Sequence, residues 1–173
     1  MSAAVSDKTL SKSSFYSKFN GYKDLMKLRL SSLVVLSAFF GYYIAGGDVQ
    51  SIELVCLLVG GVLITGSSNG FNQIWEIESD KLMERTKNRP LPTQVLSLKE
   101  AFFFNSITAF LGLYLLYSIN LKSVVLGLIA MILYTIVYTP LKKITPFAVF
   151  IGAIPGSIPP LLGYIAFKND FDL

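Results

Sequence analysis

Histidine is absent from the 173-residue chain, cysteine occurs once, and only 15% of the residues are charged. Without histidine, the chain offers no Ser-His or Cys-His catalytic pair and no histidine ligand for zinc or haem iron. The single thiol, Cys56, can form no disulfide within the chain and stands in an apolar run, as a small hydrophobic residue would. Carboxylates must therefore carry any metal chemistry.

Hydrophobic residues make up 53% of the chain, which is too apolar for a soluble domain of ordinary composition. Five uncharged windows recur, and each approaches or exceeds the roughly 20 residues that a helix needs to cross a hydrocarbon core about 30 Å thick. These windows are 30–47, 54–75, 101–121, 123–141 and 144–167. The pattern predicts an all-α, polytopic bundle of five transmembrane helices.

Basic residues are distributed unevenly between the two sides of such a bundle. Thirteen of the 15 lysines and arginines precede the first window, follow the second or follow the fourth, and two lie in the alternate segments. The positive-inside rule therefore places the N-terminus in the cytoplasm. Residues 1–23 are predicted to be a polar cytoplasmic tail, with an organellar transit peptide as the alternative, and residues 24–173 the transmembrane domain. No nucleic-acid partner is expected, because the basic residues do not form one face.

Charged side chains concentrate in the stretch 72–92, NQIWEIESDKLMERTKNRPLP. Asn72, Glu76 and Asp80 are spaced i, i+4 and i+8, so on a helix they lie within about 80° of arc. Oxygen ligands on one stripe suit Mg²⁺, which is usually held by one or two carboxylates together with substrate phosphates. These three residues are the predicted metal ligands and catalytic residues. Glu78 and Glu84 lie off the stripe and are expected to be solvated.

Basic residues follow the carboxylates, and others lie on the same predicted side of the membrane. Guanidinium and ammonium groups that bind phosphate oxygens would complete a metal-diphosphate site. Snorkelling anchors and an ordinary charged loop are the alternatives. The candidates for diphosphate binding are Lys27, Arg29, Arg85, Lys87, Arg89, Tyr138 and Lys142.

Small residues and prolines predict where helices meet. Two small-xxx-small pairs allow close helix packing. They are Gly66 with Gly70, and Gly152 with Gly156. Three prolines in the last window remove backbone donors and are expected to bend or break that helix beside the site, where freed carbonyls are tolerated. They are Pro155, Pro159 and Pro160.

The stretch 72–92 resembles the first aspartate-rich motif of the UbiA-type intramembrane prenyltransferases, in the form N-x-x-x-E-x-x-x-D followed by M-x-R-T-x-N-R-P-L that is found in the haem-farnesylating branch. A second segment, YTPLKKITPFAVFIGAIPGSIPPLLGY, is similar to the family's Y-T-x-x-K-R-x-T-P segment and the Gly/Pro-rich helix behind it. The segment LMKLRLSSLVVL is similar to the family's T-K-P-R segment, with Leu28 where proline is usual.

The resemblance implies transfer of a farnesyl group from farnesyl diphosphate to a vinyl group of haem B, which gives haem O. The stripe residues would then hold Mg²⁺ and the diphosphate, and four cations would neutralise the leaving group as the C–O bond ionises. These cations are Arg85, Lys87, Arg89 and Lys142. The alternatives are a sibling prenyltransferase that uses an aromatic quinone precursor, and a noncatalytic membrane fragment.

The family fold has about nine helices and a second acidic motif, so by this fold-level analogy the chain resembles the first half of that bundle. We expect it to be the N-terminal part of a longer protein. A bacterial inner-membrane protein is expected, and the positive-inside rule places its active site in the stretch 72–92 on the cytoplasmic side. The expected partners are farnesyl diphosphate, haem B, the lipid bilayer, and either a second copy of the chain or haem A synthase.

Overall fold

The computed structural model describes residues 16–170, and every regular element in that range is helical. Helix α1 covers 16–26 and is followed at once by α2. The remaining elements follow in chain order. They are α2 (Leu28–Ile44), α3 (Ile52–Leu82), α4 (Leu98–Tyr117), α5 (Leu121–Ile132), a π-helical segment (Leu133–Tyr138), α6 (Thr139–Leu141) and α7 (Ala148–Lys168).

Five helices of the described part are long and apolar enough to cross a membrane, which confirms the predicted number. Large apolar side chains are exposed on the outside of the bundle, among them Leu33, Phe40, Phe110 and Phe150. Such a surface is stable in lipid and not in water. The chain is therefore an integral membrane protein.

The first span is longer than the sequence suggests, because α1 and α2 together run from Tyr16 to Ile44. The predicted polar tail ends at residue 23, so its last part is helical. Leu25 is fully buried, and the Tyr22 and Phe104 ring centroids lie 4.6 Å apart, so α1 packs against α4. Residues 1–15 of the predicted tail lie outside the described residues.

Three helices begin at polar side chains that accept a hydrogen bond from their first turn. Ser51 accepts from Leu54 N, and Asn120 accepts from Ser123 N. Ser97 and Glu100 form a reciprocal capping box at the start of α4. Each cap satisfies backbone donors that a helix start leaves unpaired, which fixes where α3, α4 and α5 begin.

Glycines bring the backbones of neighbouring helices into contact. A Cβ at Gly41 would overlap the Pro160 carbonyl, and a Cβ at Gly163 would overlap the Ala38 carbonyl, so α2 and α7 touch at both positions. Gly66 packs against Met26, as the sequence pattern predicts. Gly70 likewise packs against Asn105 of α4.

We expect the prolines to bend or break the last helix, and a break does not occur, because α7 is continuous from Ala148 to Lys168 in spite of its three prolines. The predicted pair of glycines in α7, Gly152 and Gly156, does not form one packing contact. A Cβ at Gly152 would meet the Tyr138 ring, whereas Gly156 has no atom near enough to touch a Cβ and faces open space. That space is the apolar cavity described below, where missing side chains and freed carbonyls are tolerated.

Candidate active site

A polar cavity of about 520 Å³ lies at the end of the bundle where α3 ends. Its walls come from the last three turns of α3, the loop after it, the π-helical segment and the start of α7, together with Lys27 and Lys142, which lie outside these elements. Both signs of charge are present in these walls. The polar side chains that line it are Lys27, Asn72, Glu76, Ser79, Asp80, Arg85, Thr86, Arg89, Tyr134, Tyr138 and Lys142.

The three stripe residues of α3 all line this cavity, on one wall. Asn72 is buried, and the side chains of Glu76 and Asp80 are 14% and 5% exposed. They share a wall because α3 continues without interruption to Leu82, so the i, i+4 spacing keeps its direction. Two carboxylates this far from bulk water are costly unless cations face them.

Two cations do face them. Lys142 Nζ lies 3.0 Å from Glu76 Oε1, and Arg89 Nη1 lies 2.6 Å from Asp80 Oδ2. The Asn72 amide joins the first pair, since the orientation that suits its neighbours donates to Glu76 Oε2 at 2.9 Å and accepts from Lys142 Nζ at 3.0 Å. Each carboxylate of the stripe thus has a cation of its own within the cavity.

The loop after α3 is anchored so that Arg89 points back to the helix. The Thr86 hydroxyl donates to the Asp80 carbonyl at 3.1 Å, and Leu91 and Leu96 are buried against Leu25 of α1. A hydrophobic anchor on one side and a hydrogen bond on the other restrain the loop, so Arg89 is held beside Asp80 with little entropy left to lose.

The wall formed by the π-helical segment contains two tyrosines, and the sequence predicts only one of them as a site residue. Tyr134 and Tyr138 stack with centroids 5.5 Å apart, and Lys142 Nζ lies 5.3 Å from the Tyr138 centroid. A π-helical segment carries both rings, and such segments occur frequently at functional sites. Only Tyr138 was predicted here, although Tyr134, Tyr138 and Lys142 have the same i, i+4, i+8 spacing as the acidic stripe.

Two small hydroxyl residues that sequence reasoning missed also belong to the site, Thr139 behind the cavity wall and Ser79 in the wall itself. Thr139 is fully buried, and its hydroxyl lies 2.8 Å from both the Asn72 amide and the Tyr134 carbonyl. It therefore links the acidic stripe to the π-helical segment. Ser79 lines the cavity from α3.

Eight of the ten predicted site residues line the polar cavity, and two do not. Lys87 is exposed in the loop, where its ammonium lies 2.6 Å from a carboxylate oxygen of Glu84. Arg29 is also exposed and lines a neighbouring pocket. Glu78 is solvated as expected and pairs with Lys81 at 2.7 Å.

Lys27 reaches the cavity because the first span breaks at this residue. Its backbone is left-handed, with φ 46° and ψ 52°, which is uncommon for a residue with a side chain. The break exposes carbonyls at the end of α1, and α3 satisfies them: Gln73 Nε2 donates to Asp24 O at 3.2 Å and to Leu25 O at 2.9 Å. Gln73 is 1% exposed, so it forms a buried clamp on the break.

We expect Gln73→Leu to lower the affinity of the polar cavity for a diphosphate about tenfold, because the buried Leu25 carbonyl loses the Gln73 donor, the Asp24 carbonyl keeps only the Lys27 N–H, and the break that directs Lys27 is no longer fixed. Isothermal titration of the variant measures this. In a Lys27→Met background the same change should have little further effect. Ser67→Ala, which removes a buried hydrogen bond from α3 to the Asn105 carbonyl, is the matched control. A loss of equal size in both backgrounds would contradict the clamp.

An apolar cavity of about 290 Å³ adjoins the polar one inside the bundle. The two cavities share Tyr134 and Gly152. Its remaining lining is mainly aliphatic and comes from α2, α3, α5 and α7. A molecule with a charged head and an apolar tail can therefore extend from one cavity into the other.

The donor set of the acidic stripe fits Mg²⁺. Within residues 16–170 no cluster of three His, Cys, Asp or Glu side chains exists, so a closed cage made of protein ligands alone is not formed there. Two carboxylates and an amide oxygen on one wall match the way proteins hold Mg²⁺ when phosphates and water supply the other ligands.

The sequence model of the UbiA prenyltransferase family matches residues 34–173. The chain belongs to the UbiA prenyltransferase family. Curated relatives support this membership. The chain is 43% identical over 152 residues to the protoheme IX farnesyltransferase of Christiangramia forsetii, which covers 88% of the chain and 51% of that protein. It is 44% identical over 158 residues to the enzyme of that name from Cytophaga hutchinsonii, with 90% and 55% covered.

Two more distant proteins are also similar to the chain. The mitochondrial protoheme IX farnesyltransferase of Arabidopsis thaliana is 39% identical over 148 residues, covering 84% of the chain and 34% of that protein. A solved structure from a study of digeranylgeranylglyceryl phosphate synthase in membranes has a TM-score of 0.80 at 24% identity, with 87% of the chain and 54% of that structure's chain covered. The fold is therefore the UbiA helical fold, and the chain spans about half the length of the first two relatives.

Proposed function

We propose that the protein transfers a farnesyl group from farnesyl diphosphate to the vinyl group of haem B, forming haem O. The junction of the two cavities at Tyr134 and Gly152 carries this proposal. Carboxylates and cations line one side of the junction, and aliphatic side chains line the other. A diphosphate fits the first and a prenyl chain fits the second, so the bond between them lies at the junction.

The cations of the polar cavity would stabilise the leaving group. As the C1–O bond of the prenyl diphosphate ionises, negative charge grows on the diphosphate oxygens, and preplaced cations in a site shielded from water stabilise that charge. They are Lys27, Arg85, Arg89 and Lys142. Mg²⁺ held by Asn72, Glu76 and Asp80 would supply further neutralisation of the diphosphate. The Tyr134 ring at the junction, with the Tyr138 ring stacked on it, offers a π face to the allylic cation.

The choice of acceptor rests on the names of the relatives. Those with 37–44% identity are protoheme IX farnesyltransferases, so haem B is the first candidate. A UbiA enzyme that uses an aromatic quinone precursor has the same diphosphate chemistry and is the second candidate. Localisation in the bacterial inner membrane, an active site on the cytoplasmic side, and contact with a second copy or with haem A synthase stay predictions.

Incubation of the complete protein in nanodiscs with radiolabelled farnesyl diphosphate, Mg²⁺ and either haem B or a phenolic acid tests the function. We expect label in a porphyrin product and none in the phenol. Product from the phenolic acid alone would show that the acceptor is an aromatic quinone precursor and not haem B. No product from either acceptor would contradict prenyl transfer.

We expect Gly156→Phe to block the prenyl chain, because Gly156 faces the apolar cavity with no atom close to where its Cβ would lie, and a benzyl group would fill that space. The KM for farnesyl diphosphate should rise about tenfold or more, while the affinity for inorganic diphosphate stays unchanged. Gly156→Ala is the control that keeps the cavity open. An equal loss of affinity for farnesyl diphosphate and for inorganic diphosphate would mean that the prenyl chain does not bind in the apolar cavity.

A further inference from the structure

Arg29 lies in a pocket of its own, of about 550 Å³, beside the break between α1 and α2. Three cations, one carboxylate and three leucines form the walls. They are Lys23, Asp24, Lys27, Leu28, Arg29, Leu30 and Leu33. The pocket thus combines a positive side with an apolar side, at the end of the bundle that holds the polar cavity.

This pocket adjoins both cavities of the candidate active site. Lys27 is shared with the polar cavity, and Leu30 is shared with the apolar cavity. The junction of those cavities is where the proposed reaction cleaves the prenyl diphosphate. A second substrate must approach that point from a side that neither the diphosphate nor the prenyl chain occupies, and the pocket at the helix break provides such a side.

Within residues 16–170 the acidic stripe forms no salt bridge with the cations of this pocket. Glu76 pairs with Lys142 and Asp80 with Arg89, and within residues 16–170 no carboxylate lies within salt-bridge distance of Arg29. Lys23 lies 5.4 Å from the Phe19 ring centroid, and Asp24 is the single acidic residue in the lining. Cations on an apolar surface favour an anionic ligand with an apolar body.

We propose that this pocket binds a carboxylate of the acceptor, with Arg29 and Lys23 as its ligands and the leucines against the apolar ring. The inference rests on the proposed function and names the acceptor class: a flat apolar ring system with a peripheral carboxylate, such as the propionates of haem B. Lys27 then lies between the acceptor and the diphosphate. Arg29 serves the acceptor in this arrangement, and not the leaving group.

The test compares a porphyrin acceptor with its dimethyl ester, using the complete protein in phosphatidylcholine nanodiscs. We expect Arg29→Gln to raise the KM for the free-acid acceptor about tenfold, because a charge-assisted hydrogen bond is lost, and to leave the KM for the ester and for farnesyl diphosphate within about twofold. Arg29→Lys should restore part of the affinity. Arg85→Gln, in the polar cavity, should raise the KM for farnesyl diphosphate instead.

Four results separate the outcomes. Lys99→Gln, an exposed cation in the first turn of α4, should change neither KM, so a similar effect there would reduce the result to general surface charge and overturn the proposal. Equal sensitivity of acid and ester would also overturn it. If the Arg29→Gln effect occurs only in nanodiscs with phosphatidylglycerol, the pocket binds a lipid headgroup and not the acceptor. Absence of wild-type product with any acceptor would contradict the proposed function itself.

Discussion

The double substitution Glu76→Gln with Asp80→Asn is expected to lower kcat/KM for farnesyl diphosphate by about 10³-fold or more. Both carboxylates line the polar cavity on one helix wall, and both are nearly buried. Their loss would remove the charged oxygen ligands that we propose for Mg²⁺. It would also leave Lys142 and Arg89 without their partners, so a diphosphate could still bind, but without the metal.

A matched control uses the acidic residues that lie off the stripe. Glu78→Gln with Glu84→Gln removes the same charge from the same end of α3, but these side chains are exposed and pair with Lys81 and Lys87. Exposed pairs of this kind contribute little, so activity should stay within about twofold of wild type. Loss of activity in this control would mean that overall charge, and not the stripe, determines the rate.

Gly163→Leu is expected to lower the Tm of the protein by about 5 °C or more, because a side chain at this position must displace the Ala38 carbonyl of α2. A backbone atom inside a packed helix cannot move aside as the end of a flexible side chain can. Thermal unfolding of the detergent-solubilised protein measures the shift.

Gly156→Ala is the partner of that experiment, since it adds a methyl group to the same helix at a position that faces open space. Its Tm should stay the same or rise slightly, because alanine is a better helix former than glycine. If Gly163→Leu and Gly156→Ala gave the same Tm, the contact between α2 and α7 would not contribute to stability as described.

The sequence predicted the elements whose side-chain spacing follows directly from helix geometry. Five apolar windows became five spans, and Asn72, Glu76 and Asp80 came together on one wall because α3 continues as a regular helix beyond the hydrophobic window. The loop cations Arg85 and Arg89 line the cavity as expected, whereas Lys87 of the same loop is exposed, and nothing in the sequence separates Lys87 from the other two.

Features that depend on irregular backbone could not be predicted. The left-handed Lys27 divides the first span, so Lys27 lines both the polar cavity and the neighbouring pocket, whereas Arg29 lines only the neighbouring pocket. Tyr134 lines the site through a π-helical segment that has no clear signature in the sequence. Both depend on tertiary contacts, among them the clamp by Gln73.

The prolines of α7 predict more irregularity than the structure has. Local rules predict a break in α7, yet the helix is continuous over Pro155, Pro159 and Pro160. Pro155 and Pro159 line the apolar cavity together with Gly156. Carbonyls that lack a hydrogen-bond donor are tolerated beside such a cavity. The prolines and glycines of α7 thus border the apolar cavity, and that cavity exists only in the packed bundle.

Calorimetric titration of the protein with an unreactive farnesyl thiodiphosphate, in the presence and absence of Mg²⁺, tests the central claim most directly. Glu76 and Asp80 are paired with Lys142 and Arg89 in the cavity, so metal and diphosphate must be bound together for all four charges to find new partners. The account predicts that Mg²⁺ tightens binding of the analogue by about tenfold or more, and that Glu76→Gln with Asp80→Asn removes this gain. Tight binding that does not depend on Mg²⁺ in the wild type, or an unchanged gain in the double variant, would contradict it.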